Sequence, residues 1–194
     1  MEENNIFSTL LSNESYNVEI TCDNIFSIGS SDNRRYDFVI NPGNRERGDR
    51  YLTLRLSVEG ASNMEIALIT DLIERKNCSA ILEGDILILL HRNYVTSVDL
   101  TNGKAKSREL NVWGESYDLI RMADGYLVHG EFEIIKLDNA LNTLWEFSGR
   151  DVFVSGSGKK SLEITEKSII LYDFLDNYYE LDFCGNLIKE ILSV

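Results

Sequence analysis

Two histidines are the side chains in this sequence best suited to acid–base or metal chemistry. His91 and His129 each end a short apolar run, just before a predicted turn. Imidazole titrates near neutral pH and is a common metal ligand, so a pair of histidines on one rim of a fold would make a catalytic or metal site. Glu131, two positions after His129, would add a carboxylate. The competing interpretation is two unrelated histidines at the edges of loops.

Three aspartates recur at the ends of apolar runs, namely Asp99, Asp138 and Asp182. A ring of such carboxylates would bind a cation or a basic ligand. Asp at the start of a β-turn also accepts hydrogen bonds from backbone N–H groups further along the turn. Gly103 and Gly185 supply residues that tolerate positive φ nearby. We therefore predict that the three aspartates build turns.

The C-terminal part of the sequence mixes acidic side chains with tyrosines. The residues concerned are Tyr172, Asp173, Asp176, Tyr178, Tyr179 and Glu180. Tyrosine provides contact area with a polar tip, and carboxylates steer cationic partners toward a surface. We predict that this stretch binds a basic protein partner and that its carboxylates, Asp173, Asp176 and Glu180, lie in solvent. The alternative is that the acidity only keeps the protein soluble.

The net charge and the cysteines limit the kinds of partner and the cellular compartment that the sequence predicts. Asp and Glu total 32 against 19 for Lys and Arg, which gives a net charge of −13. Nucleic-acid-binding proteins need clustered positive charge, so no nucleic-acid partner is expected. No apolar run reaches the roughly 20 residues that cross a bilayer, so no membrane partner is expected. Three widely spaced cysteines and an acidic N-terminus predict reduced thiols and a cytoplasmic location.

No complete catalytic or cofactor-binding motif is present in the sequence. Gly156–Lys160 resembles part of a phosphate-binding loop, but Phe153 stands where the loop needs its first glycine. Lys160 stands where the loop needs Ser or Thr. The sequence therefore predicts no cofactor, no metal ion and a role other than catalysis.

The second part of the chain contains three similar stretches, near residues 79–110, 117–147 and 161–192. Each holds four short apolar-rich segments separated by turns, with the period-two alternation of β-strands. The aspartate that closes the third segment recurs at intervals of 39 and 44 residues. Four-stranded propeller blades recur at roughly 40–45 residues. Within the second stretch, Trp145 alternates with Leu144, and we expect Trp145 to be largely buried.

The segments Val98–Lys104 and Leu137–Trp145 resemble the blades of PQQ-like and WD40-like β-propellers. Both combine a hydrophobic strand, an aspartate and a short turn, and the second continues into a Leu-Trp strand. The resemblance covers about residues 79–192. It implies an all-β, mostly antiparallel fold of three to four four-stranded blades, either closed into a small ring or left incomplete and open. It transfers no active site.

Residues 1–78 are less regular, although their apolar segments would fit a degenerate fourth blade. Ser62–Glu65 forms a capping-box pattern ahead of an apolar run, which predicts a short helix near 63–75. A strand is the alternative there, because the run is rich in β-branched residues. We expect the whole chain, 1–194, to form a single domain.

These features favour a non-catalytic protein-interaction module. Small size, acidity and an irregular repeat resemble the character of bacterial immunity proteins, which neutralise basic nuclease toxins, and this is the finer hypothesis. The rival hypothesis is an enzyme or small-ligand-binding protein whose site lies in the inter-blade loops around His91 and His129. The sequence leaves the oligomeric state open.

Overall fold

The protein is built from β-strands. The computed structural model describes residues 8–71, 79–154, 158 and 160–193, and these residues contain no helix. Accordingly, no helix among them is long and apolar enough to cross a membrane. The predicted all-β class is confirmed. The polypeptide forms two compact units, residues 1–110 (unit 1) and 111–194 (unit 2), and the single-domain interpretation stays a prediction.

Unit 1 contains a five-stranded sheet and a four-stranded sheet. The five-stranded sheet comprises β1 (Ser8–Ser12), β2 (Tyr16–Cys22), β3 (Phe38–Ile40), β4 (Leu52–Gly60) and β5 (Met64–Thr70), in the order β1-β2-β4-β5-β3. The four-stranded sheet comprises β6 (Ser79–Glu83), β7 (Ile86–His91), β8 (Tyr94–Asp99) and β9 (Ala105–Glu109), in chain order. Strand β3 pairs with β5 in parallel, and the other pairs in both sheets are antiparallel.

The core of unit 1 follows from alternation along its strands. Val18 and Ile20 in β2 are fully buried, and the residues flanking Val18 are exposed. Leu54 in β4 and Leu87 and Leu89 in β7 are also fully buried, in the same apolar cluster. Residues two apart share a face of a strand, so each of these strands presents one apolar row to the cluster. The two sheets of unit 1 thus share one core.

The helix predicted near 63–75 is wrong over its described part, because Met64–Thr70 forms strand β5. Strand β5 pairs with β4 on one side and β3 on the other, which satisfies its backbone groups on both edges. Asn63 accepts a hydrogen bond from the N–H of Gly60 at 3.1 Å and so closes a hairpin turn instead of capping a helix. Residues 72–75 lie outside the described residues.

Unit 2 contains two four-stranded antiparallel sheets, each in chain order. The first comprises β10 (Ser116–Met122), β11 (Gly125–Gly130), β12 (Glu133–Asp138) and β13 (Thr143–Ser148). The second comprises β14 (Leu162–Ile164), β15 (Ile169–Tyr172), β16 (Tyr178–Leu181) and β17 (Leu187–Ile191). With the β6–β9 sheet they make three consecutive blade-like meanders, as the repeats predicted.

The core of unit 2 is formed by aliphatic residues of both sheets around Phe153 and Tyr179. Trp145 packs at the margin of this cluster and is partly buried. Its indole N–H donates to the carbonyl of Phe183 at 3.1 Å. Leu144, on the opposite face of β13, is 53% exposed, as the alternation requires.

The three repeat aspartates build turns, as predicted. In Asp99, Asp138 and Asp182, one carboxylate oxygen accepts the backbone N–H two residues further on, at 2.8–2.9 Å. Asp138 and Asp182 also accept the backbone N–H and the side-chain amide of the asparagine four residues on. The residue before that asparagine has a positive φ, 84° at Gly185 but also 65° at Leu141. Asp-x-x-x-Asn is therefore a turn motif of this chain.

Candidate partner-binding site

The predicted tyrosine and carboxylate stretch occupies β15, β16 and the turn between them. Because side chains alternate across a strand, the buried residues Leu171 and Tyr179 face the core of unit 2. Tyr172, Tyr178 and Glu180 consequently lie on the opposite face of the sheet, where each is half-buried. The structure thus brings together three of the six predicted residues on one surface.

Local contacts hold these three side chains in place. The rings of Tyr172 and Tyr178 meet edge to face with centroids 5.6 Å apart. The hydroxyl of Tyr178 donates to Glu180 Oε2 at 2.9 Å, and Lys189 Nζ lies 5.7 Å from the centre of the Tyr178 ring. Burial, reinforced by the bond to Glu180, raises the pKa of Tyr178, so the phenol stays protonated near neutral pH. Fixed side chains lose little entropy when a partner binds.

Strand β17 extends this surface. Glu180 pairs with Lys189 and Tyr178 pairs with Ile191, so these side chains share a face. We call the set Tyr172, Tyr178, Glu180, Lys189 and Ile191 the C-terminal face. Ile191 is 50% exposed. The face therefore combines two tyrosines, an apolar side chain and one charge of each sign.

Exposed apolar side chains occur on β17 and in the β15–β16 turn, the segments that carry or adjoin the C-terminal face. Strand β17 is the outer strand of its sheet, and all five of its residues are exposed. Leu187 and Ile188 are 48% and 58% exposed, and Phe174 and Leu175 in the β15–β16 turn are 54% and 58% exposed. Clustered exposed apolar residues mark interaction surfaces. The sequence held a signal for them, because adjacent apolar residues at 187–188 and in a turn at 174–175 break the period-two pattern.

Asp173 and Tyr179 do not belong to that surface, which corrects the expectation that Asp173 lies in solvent. Asp173 is fully buried and Tyr179 is 2% exposed. The Asp173 carboxylate accepts hydrogen bonds from the Tyr179 hydroxyl at 2.8 Å, from the backbone N–H and side-chain amide of Asn177 at 2.9 and 2.8 Å, and from the N–H of Leu175 at 3.1 Å. Asp176 is half-buried in the same turn, with a φ of 59°. These contacts make Asp173 a structural residue.

His91 is also a structural residue. It is fully buried, and its Nδ1 and Nε2 lie 2.9 and 2.7 Å from the hydroxyls of Thr70 and Thr96. The Tyr94 ring stacks on the imidazole with centroids 5.8 Å apart. Burial lowers the pKa of His91 to about 3, so the ring is neutral at physiological pH. Both nitrogens are occupied, which leaves none for a metal or a substrate.

His129 lies in unit 2 and makes longer contacts. Its Nδ1 is 3.6 Å from Asp118 Oδ2, and its Nε2 is 3.3 Å from the carbonyl oxygen of Phe153 and 3.4 Å from Ser161 Oγ. The residue types match a Ser-His-Asp set, but a working set has contacts of about 2.6–3.2 Å. The Phe153 carbonyl also favours an N–H on Nε2, which leaves the nitrogen beside Ser161 without the lone pair that it would need to act as a base. Glu131 accepts the backbone N–H of Glu115 at 3.3 Å.

Metal-binding side chains are not clustered in the described parts of the chain. There, no three His, Cys, Asp or Glu side chains are grouped so that they could hold a metal ion. Cys22 is half-buried and Cys184 is exposed, and both are free thiols. Burial raises the pKa of the Cys22 thiol, which disfavours the thiolate that metal binding requires.

Comparison with known proteins identifies the architecture. No family model matches the sequence, and no curated protein matches it. The solved structure of HIRA(644-1017) is similar over 98% of this chain and 54% of its own, with a TM-score of 0.53 and 8% identity. BamB from Moraxella catarrhalis is similar over 96% of this chain and 61% of its own, with a TM-score of 0.46 and 11% identity.

A third match is the computationally designed Ika8 protein, over 95% of this chain and 61% of its own, with a TM-score of 0.49 and 8% identity. The chain therefore spans between about half and three fifths of the structures it matches. HIRA is a WD40/propeller-like protein. Together with the blade-like sheets, this likeness confirms the predicted propeller-like fold.

Proposed function

We propose that this protein is a non-catalytic interaction module that binds a basic protein through the C-terminal face. The observation that carries the proposal is the composition of that face, where half-buried tyrosines adjoin exposed apolar residues of β17. Tyrosine is enriched at binding hot spots, and exposed apolar side chains beside the tyrosines supply further area for a partner to bury. The net charge of −13 favours a basic partner and disfavours nucleic acid and anionic membranes.

A finer form of the proposal is an immunity-type protein that neutralises a basic toxin in the cytoplasm. Its support is the small size and strong acidity of the chain and the free thiols Cys22 and Cys184, which suit a reducing compartment. The occupied nitrogens of His91 weigh against the rival hypothesis of an enzyme centred on the two histidines.

The test is capture of the partner from nuclease-treated native lysate at physiological salt, with wild type and two variants. Tyr178→Ala removes the central aromatic of the C-terminal face, and we expect a loss of about tenfold or more in affinity, as at other tyrosine hot spots. Glu180→Lys should slow association, most strongly at low salt. Glu14→Lys is the matched control, because Glu14 is exposed in the β1–β2 turn and its reversal changes the net charge equally.

Recovery of one basic protein whose binding is weakened by Tyr178→Ala and Glu180→Lys, but not by Glu14→Lys, supports the proposal. Recovery of RNA or DNA in a lysate without nuclease, and of no protein, contradicts it. Equal effects of Glu180→Lys and Glu14→Lys would show that only the net charge matters, and would remove the C-terminal face from the interaction.

A further inference from the structure

A cleft in unit 2, separate from the C-terminal face, has the chemistry of a receptor for an organic cation. It has a volume of about 410 Å³ and is lined by three short segments. Trp113 and Gly114 precede β10, Phe132 and Glu133 stand at the start of β12, and residues 148–151 run from the last residue of β13 into the segment after it. We call it the Trp113 cleft.

Aromatic side chains line the Trp113 cleft and face solvent. Trp113 is 74% exposed and Phe132 is 40% exposed. The position of Trp113 is fixed through its backbone, whose N–H donates to the Glu133 carboxylate at 3.2 and 3.3 Å. Gly114 keeps its φ at 92°, and a Cβ there would collide with the Glu131 carboxylate. The Trp113 backbone is therefore held at the cleft by a turn whose positive φ at position 114 disfavours residues other than glycine.

Glu133 supplies a carboxylate inside the Trp113 cleft. It is only 6% exposed, and across the described parts of the chain its hydrogen-bond donor is the Trp113 N–H. A carboxylate accepts about four hydrogen bonds, so Glu133 can accept further bonds from a ligand in the cleft. Burial raises the pKa of Glu133, and the nearby charges of Glu146 and Glu131 add to the rise. A buried carboxylate favours a cation beside it.

The other charges around the cleft leave it acidic. Arg150 lines the cleft, but its Nε donates to Glu190 Oε1 at 2.9 Å. Asp151 adds a carboxylate, one oxygen of which accepts the N–H of Val152 at 2.8 Å. An arriving cation would thus meet one arginine that is already paired and two carboxylates, Glu133 and Asp151.

We propose that the Trp113 cleft receives an arginine side chain of the protein partner. The guanidinium group donates to Glu133 and stacks on the exposed faces of Trp113 and Phe132, which combines a charge-assisted hydrogen bond with cation–π contact. Arginine fits better than lysine because its planar fork matches both the carboxylate and an aromatic face. The inference rests on the proposed binding of a basic protein and assigns that partner a specific anchor.

The experiment is ¹⁹F NMR on the full chain labelled with 5-fluorotryptophan. The chain has two tryptophans, Trp113 and Trp145, and Trp113→Phe assigns their resonances. The probe is Nα-acetyl-arginine amide, and the control ligand is Nα-acetyl-citrulline amide, which has nearly the same shape without the charge. At constant ionic strength, we expect a saturable shift of the Trp113 resonance with arginine amide only, at an affinity of about 1 mM or weaker, and no shift of Trp145.

Two variants test whether the Glu133 carboxylate contributes to binding of the guanidinium group. Glu133→Gln should weaken the Trp113 response by about fivefold or more, since it removes the charge that the guanidinium meets. Glu146→Gln, on the exposed side of β13, removes a nearby charge and should leave the response within about twofold. Circular dichroism confirms that each variant is folded, and Glu131→Gln replaces Glu133→Gln as the charge-removing variant if the latter does not fold.

An unmoved Trp113 resonance, an equal shift with citrulline amide, or an undiminished response in folded Glu133→Gln would each overturn the inference. The result is independent of the partner capture, because it needs only the purified chain and a small probe. If the C-terminal-face variants do not weaken partner binding but the Trp113 resonance responds to arginine amide, the proposal for the cleft is retained. If the variants weaken partner binding but Trp113 does not respond, the proposed function is retained and the proposal for the cleft is not.

Discussion

Replacing Asp173 by alanine should destabilise unit 2 strongly, and a matched aspartate in the next turn provides the control. Asp173 and Asp182 both begin an Asp-x-x-x-Asn turn and accept the same three hydrogen bonds from the turn at 2.8–3.1 Å. They differ in burial, because Asp173 is fully buried, whereas Asp182 is half-buried and its partner Asn186 is exposed. Asp173 also receives the hydroxyl of Tyr179 at 2.8 Å.

The expected magnitude follows from the donors left behind. In Asp173→Ala, the Tyr179 hydroxyl and the Asn177 amide lose their acceptor while they are 2% and 5% exposed. Each buried donor without a partner costs about 1–3 kcal/mol, and bonds to a charged acceptor are at the upper end. We therefore expect Asp173→Ala to lower the free energy of unfolding by about 3–5 kcal/mol. In Asp182→Ala, water replaces the acceptor, so the loss should be less than about half as large.

Urea unfolding followed by tryptophan fluorescence measures both variants in the relevant unit, because Trp113 and Trp145 both lie in unit 2. The difference in midpoint multiplied by the common slope gives the change in free energy. A double-mutant cycle with Tyr179→Phe should give a coupling energy of about 1–2 kcal/mol. Equal losses in Asp173→Ala and Asp182→Ala, or a loss below about 1 kcal/mol in Asp173→Ala, would refute the argument from burial.

Three further predictions concern strain and pH. Leu141→Gly should lower the free energy of unfolding by about 1–3 kcal/mol. The variant loses a side chain that is only 2% exposed, and this loss outweighs the relief of the positive φ at position 141. A rise in the urea midpoint would contradict this. Glu133→Gln should raise the thermal midpoint at pH 7, because burial raises the pKa of Glu133 and its ionised form destabilises the fold, and the gain should shrink as pH falls toward the ordinary carboxyl range. Burial lowers the pKa of His91 from 6.5 to about 3, so as the pH falls the unfolded chain takes up a proton on this histidine before the folded protein does. The free energy of unfolding should therefore fall below pH 6.5, by up to about 1.4 kcal/mol per pH unit. In His91→Gln this decline between pH 6.5 and 5 should be shallower, and an unchanged slope would contradict the reasoning.

The blades were predictable because their determinants are local. The period-two alternation along Thr143–Ser148 and the aspartates at the ends of the third strands act within a few residues. The helix predicted near 63–75 failed for the converse reason. A capping pattern is a local signal. The structure instead pairs Met64–Thr70 with a strand on each side, and these pairings involve residues outside the local pattern. Tertiary pairing overrides propensity in such β-branched runs.

The candidate site was predictable only in part, and Asp173 shows why. Asp173 and Asp182 have the same motif and the same spacing to an asparagine, so nothing local distinguishes them. What separates them is the packing of Tyr179 in the core of unit 2, beside Phe153 at 6.1 Å between ring centroids. Burial of a polar side chain depends on what the rest of the chain places over it, which a period-two pattern does not report.

The Trp113 cleft was missed for a related reason, and its chemistry supports the proposal that it binds a ligand. Trp113 precedes the β10–β13 repeat, Glu133 begins a strand within it, and residues 148–151 lie at its end, so only the folded sheet brings them together. Aromatic side chains are usually buried and carboxylates usually exposed, but in this cleft Trp113 is 74% exposed and Glu133 is 6% exposed. Either exception alone is ordinary. Their coincidence in one cleft, with a buried carboxylate that raises the free energy of the empty protein, fits a surface selected for binding rather than for stability.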